Sequence, residues 1–113
     1  MLEKYSFLNC RIAIYIPSTM NVNEKTDNKK YVVLISKWMS KIFGGCTAYK
    51  ATGTWLSDAS GLVNEDVTII YSFTDEKTLI DNESFLINIC EWLKKEMKQE
   101  AVSLEINNKL YFI

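Results

Sequence analysis

Strict alternation marks the first regular segment of the chain. In "NCRIAIYIP", Ile12, Ile14 and Ile16 alternate with Arg11, Ala13 and Tyr15, the period of a half-buried strand. Pro17 has no N–H to give a ladder and fits the strand's end. A polar stretch from Ser18 to about Lys29 follows and predicts a loop long enough to be functional or mobile. The period then changes. Tyr31, Leu34, Ile35, Trp38, Met39 and Ile42 recur at three- and four-residue steps, which predicts a helix with one core-facing stripe. Asp27 or Asn28 suits its start and Gly44 its left-handed end.

Two further strands are predicted from "CTAYKATGTWLS" and "DVTIIYSFT", joined through a wide turn over "DASGLVNE". In the first, Tyr49, Ala51 and Trp55 share one side and Cys46, Ala48 and Lys50 the other. A bulge at Gly53 would exchange the sides midway, so the parity stays open. In the second, Val67, Ile69, Tyr71 and Phe73 are taken as the core face, with Thr68, Ile70 and Ser72 opposite. A second long helix is expected over "DNESFLINICEWLKKEMKQ", with Phe85, Ile89, Trp92, Leu93 and Met97 as its stripe. "TDEK" from Thr74 leaves an earlier start open. "AVSLEI" reads as a fourth strand, "NNK" as a turn and "LYFI" as a short closing strand.

The order is β-α-β-β-α-β with one extra short C-terminal strand. It predicts a single α+β domain over residues 1–113, a ferredoxin-like split βαβ sandwich with two helices on one face of an antiparallel sheet. The other sheet face then carries Ala13, Tyr15 and Ile70 as candidate interface residues. A half-apolar open sheet usually finds a partner, so a homodimer and a protein partner are expected.

At "FGGCT", "GTW", "NED" and "KQEAVSLEI" the chain resembles an uncharacterised group of short bacterial, phage and plasmid proteins. Their pattern is F-G-G-x-T, G-x-W, a glutamate before a strand, and Q-E-x-V. The matching positions are Phe43, Gly44, Gly45, Thr47, Gly53, Trp55, Glu65, Gln99, Glu100 and Val102. The resemblance implies the same fold and no established activity.

Composition narrows the chemistry. The chain has 113 residues and no histidine, so Ser-His and Cys-His nucleophiles and imidazole ligands are excluded. Cys10, Cys46 and Cys90 form no C-x-x-C and read as buried thiols. Net charge is −1 and Arg11 is the lone arginine, which disfavours a nucleic-acid partner. No apolar run is long enough to cross a membrane, and no leader is read, so a cytoplasmic protein is expected. The acidic pairs Glu65-Asp66 and Asp75-Glu76 point to opposite faces if on strands, and no metal or cofactor is expected.

The candidate binding residues are Thr47, Tyr49, Gly53, Trp55 and Glu65, with no catalytic residue assigned. Glu65, half-buried beside the Trp55 indole, would be an acid–base candidate. In the plainer reading Trp55 packs the hairpin and Glu65 bonds turn N–H groups. The leading expectation is a non-catalytic interaction or regulatory protein, phage- or plasmid-encoded in one version. The alternative is a small-molecule enzyme of the dimeric ferredoxin-like kind, with a pocket near Tyr49, Trp55 and Glu65. An RNA-binding module ranks third, because Tyr71 is placed in the core face and no RNP-like stretch occurs.

Overall fold

The computed structural model describes residues 1–20 and 24–113. After a single 3-10 turn at Leu2–Lys4 come β1 (Cys10–Pro17), β2 (Thr19–Met20), β3 (Glu24–Lys25), α1 (Lys29–Phe43), β4 (Thr47–Ser57), β5 (Gly61–Thr74), α2 (Glu76–Asp81), α3 (Glu83–Glu96), β6 (Ser103–Ile106) and β7 (Lys109–Phe112). Five strands form one antiparallel sheet in the order β4-β5-β1-β6-β7. This is the ferredoxin-like α+β arrangement predicted from the element order, with β7 added at the edge. The expected loop contains the β2–β3 pair instead of an open linker, and its middle, residues 21–23, lies outside the described residues.

The helices cover one sheet face. Ile12, Ile14 and Ile16 of β1, Ile70 of β5 and Leu104 of β6 meet Tyr31, Ile35 and Met39 of α1 and Leu86, Ile89, Cys90 and Leu93 of α3. α1 ends as its sequence dictates: Gly44 sits at φ 86° and its N–H returns to the Ser40 carbonyl. Asn28 begins α1 without capping it. Its amide instead donates to the carbonyls of Ile16 and Pro17 and to Thr68 Oγ1, tying the helix start to two strands.

Three expectations are corrected. The core face of β5 is the opposite of the one predicted, because Ile14 pairs with Ile70 and Ile12 with Ser72. Ile70 is therefore fully buried under the helices and lies on neither the open face nor an interface there. Thr68 and Ser72 are buried with it at no polar cost. Thr68 accepts from Asn28, and Ser72 Oγ donates to the Gly45 carbonyl at 2.7 Å. Val67, Ile69, Tyr71 and Phe73 face outward.

The hairpin is also longer than predicted. Pairing of β4 with β5 runs unbroken from Thr47↔Tyr71 to Ser57↔Gly61, so no bulge interrupts Gly53 and the turn shrinks to Asp58–Ser60. The outer part of this ribbon projects past β1, and the molecule measures 53 × 29 × 21 Å. Finally, the second helix is two. Asp75 caps α2 by accepting the Thr78 N–H at 2.8 Å, and the break at Asn82 turns Phe85 outward while Leu86 takes its place in the core.

Candidate functional site

Continuous register settles the parity left open above. Thr47, Tyr49, Gly53 and Trp55 lie on the uncovered face of β4, and Glu65 lies on the same face of β5, directly opposite Gly53. Ala13 and Tyr15 of β1 join them there. All five candidate binding residues thus share one surface, together with two of the three candidate interface residues.

The face is arranged in rows across the strands. Tyr15, Ile69 and Tyr49 make one row, Pro17, Val67 and Ala51 the next, and then Glu65 stands across from Gly53 and Val63 across from Trp55. Glu65 and Ile69 are separated by about 13 Å at a strand's rise. Apolar Val67 and Pro17 lie between those rows. A cleft of about 250 Å³ opens here, lined by Tyr15, Pro17, Gly53, Glu65, Val67, Gln99 and Ser103 among others. Gly53 lines it, and a Cβ there would stand 3.7 Å from the Glu65 carbonyl. Glu65 is exposed and not half-buried, and Trp55 faces Val63. Of the expected carboxylate–indole pair, the half-burial is absent, and Trp55 stands diagonal to Glu65 on the same face. Thr47, Tyr49 and Trp55 flank the cleft without lining it.

The rim of this cleft is fixed by groups drawn from distant parts of the chain. Ser18 Oγ donates to the Asp66 carbonyl at 2.6 Å, and the Gln99 amide donates to the carbonyls of Thr19 and Met97. Gln99 thus joins the segment after α3 to β2 and closes one end.

A polar network missing from the sequence reading adjoins the cleft. The Tyr15 hydroxyl donates to Glu105 Oε1 at 2.8 Å, and Arg11 Nε lies 3.5 Å from Glu105 Oε2. The Arg11 guanidinium stacks 4.1 Å from the centre of the Tyr71 ring. Tyr71 meets Tyr49 and Phe73 edge-on, with ring centres 5.9 and 6.0 Å away. Partial burial, and then the Glu105 carboxylate, push the Tyr15 phenol above its ordinary range. The signals were present: Arg11 is the lone arginine, and Glu105 alternates with Leu104 and Ile106. They carried no weight while Tyr71 was assigned to the core.

Tyr71 on the open face removes the reason given for ranking RNA third. The face nonetheless sets Arg11 against Glu65 and Glu105, and such a balance forms no basic track for a phosphate backbone. Among the described residues no group of three or more acidic or cysteine side chains is placed to hold a metal. Cys90 is buried, which drives its thiol up to about 12 and leaves it inert. No helix among the described residues is long and apolar enough to cross a membrane.

No protein-family model matches the chain, and no curated protein matches it. Solved structures do. A phage SAM lyase in complex with S-methyl-5'-thioadenosine superposes with a TM-score of 0.67 at 18% identity, covering 100% of this chain and 95% of that one. A phage SAM lyase in the apo state gives 0.66 at 18% identity, covering 94% and 89%. This likeness establishes the fold. Because both neighbours are enzymes, the expectation of a non-catalytic interaction or regulatory protein gives way to the enzyme alternative.

Proposed function

We propose that this chain is a lyase of S-adenosylmethionine (SAM), releasing S-methyl-5'-thioadenosine from the open sheet face. The observation that carries the reading is the cleft between Tyr15, Gly53 and Glu65, on a fold shared end to end with an enzyme named for that reaction. Loss of S-methyl-5'-thioadenosine from SAM requires the bond between sulfur and the methionine Cγ to break. The substrate supplies its own nucleophile: its carboxylate bonds Cγ and the sulfur keeps the electron pair. The products are a neutral thioether and a lactone carrying the ammonium. No water enters and no proton moves, so a site without histidine suits the step.

The chain's part is orientation and exclusion of water. Glu65 takes the substrate ammonium and so aims the carboxylate at Cγ, where holding reactants in line is worth several orders of magnitude. The reaction merges a carboxylate and a sulfonium into neutral groups, so an apolar wall of Pro17 and Val67 favours the transition state over the separated charges. Tyr49 and Trp55 stand at either end with faces suited to a purine. In a cell the substrate places this activity in the cytoplasm.

A second copy of the chain belongs to this reading. Tyr49, Trp55 and Phe73 are 43%, 51% and 47% exposed on the open face, and about 250 Å³ falls short of the usual 300–1,000 Å³ of a ligand pocket. We infer a homodimer that covers this face.

The test is incubation of the purified protein with SAM and detection of S-methyl-5'-thioadenosine by chromatography and mass spectrometry. The wild type is expected to release it, and Glu65→Gln to lower kcat/KM about tenfold or more, the worth of a charged hydrogen bond. A wild type that neither releases it nor binds SAM in calorimetry overturns the reading.

A further inference from the structure

We propose that Arg11 and Glu105 are positioning residues that pin the Tyr15 ring as a cation-holding wall of the cleft, with the substrate's sulfonium as its ligand. This rests on the SAM reading and deepens it. Tyr15 supplies the aromatic ring among the cleft's lining residues, whereas Arg11 and Glu105 line none of it. They act from behind.

Glu105 accepts from the Tyr15 hydroxyl on one oxygen and faces Arg11 with the other. Arg11 is itself held twice. Its side chain stacks on Tyr71, and its backbone exchanges hydrogen bonds with Asn107, which donates its N–H to the Arg11 carbonyl and accepts the Arg11 N–H on its side chain. The chain Asn107–Arg11–Glu105–Tyr15 therefore runs from a fixed turn to a ring on the cleft.

Stability alone does not account for this chain. Arg11 and Glu105 are about a quarter exposed, 28% and 24%, and a pair of that kind contributes little to folding. Its chemical effect on the ring is larger. A phenol donating to a carboxylate gains electron density, and an electron-rich ring face attracts a cation. The sulfonium is a permanent cation with no proton to donate, so a ring face suits it better than a hydrogen-bond acceptor. Such a contact is made with the substrate before its charge disperses, so it serves binding more than rate.

The probes are SAM and S-adenosylhomocysteine, which lacks the S-methyl group and so carries a neutral thioether but is otherwise the same molecule. Dissociation constants are measured by rapid mixing with fluorescence detection, before turnover, for the wild type, Tyr15→Phe, Glu105→Ala and the double variant. Each single change is expected to weaken SAM about tenfold, the double no further, and S-adenosylhomocysteine to move less than about twofold. KM for SAM rises while kcat holds. Glu105→Gln keeps an acceptor without the charge and gives a smaller loss in the same direction, serving also if Glu105→Ala does not fold. Equal weakening of both ligands, an additive double variant, or SAM affinity that does not move overturns the proposal. Should the wild type bind SAM while the variants are unaffected, only this inference falls. Should the wild type bind neither ligand, the SAM reading falls and takes this with it.

Discussion

Ile70 shows how one residue can decide what a sheet face does. It has no solvent exposure, pairs with Ile14 across the sheet centre and is packed beneath the helices. Its neighbour Ile69 is nearly as buried yet lies on the other face, screened by Tyr15 and the aromatic side chains around it. Truncation at Ile70 opens a hole between two rigid layers that cannot close over it. Ile70→Ala is expected to cost about 2–5 kcal/mol, as for large-to-small changes in packed cores. Urea unfolding followed by circular dichroism reads this directly, and a loss below about 1 kcal/mol would mean the face assignment is wrong.

At the scale of elements, the parts legible in the sequence were those fixed by local rules. The alternation of Ile12, Ile14 and Ile16, the α1 stripe and the left-handed Gly44 each follow from period or backbone sterics, and each stands in the structure. What escaped depended on partners far along the chain. Thr68 and Ser72 look like solvent-facing residues until Asn28 and the Gly45 carbonyl arrive to bond them. Once they turned inward, Tyr71 turned outward and the Arg11–Glu105 network became possible. The candidate site residues came together because β4 keeps its register past Gly53, which no local signal dictated. The split second helix was half legible: Asp75 at the start of "TDEK" is a good cap, but the break at Asn82 is set by its own amide donating to the Thr78 carbonyl. The cap also makes a pH-dependent statement. The Thr78 N–H and neighbouring groups hold the Asp75 carboxyl below its ordinary range. A depressed folded value adds stability above the unfolded value, and that stability is lost as pH falls through the folded one. Asp75→Ala is therefore expected to lower the thermal midpoint at pH 7, and the gap from wild type to close below about pH 4. A gap that persists at pH 2 would show that the ionised cap is not its source.

At the scale of the whole molecule, the exposed geometry bears on the second copy proposed above. β4 is an edge strand of eleven residues (Thr47–Ser57) with Lys50 as its lone charge, no proline and no bulge. Edges of that length are normally blunted, because a row of open N–H and C=O groups recruits other strands. The other edge, β7, has four residues. Beyond β1 the β4–β5 ribbon also stands alone, and Leu56 and Leu62 are exposed on one side of it while Trp55 is exposed on the other. Two strands by themselves are at best marginal in water. Pairing of copies along β4 would occupy the edge, and packing across the open face would cover Tyr49 and Phe73. The two modes separate by mutation. Phe73→Gln removes apolar area from one end of the open face and leaves the β4 backbone untouched. If copies meet through the face, sedimentation equilibrium is expected to give a dimer for the wild type and a shift toward monomer for Phe73→Gln. A dimer unmoved by that change would instead place the contact on the β4 edge. A wild type that sediments as a monomer at about 100 μM, where even a weak specific contact of about 10 μM holds about four-fifths of the chains in dimers, would remove the homodimer and leave the cleft to work in a single chain.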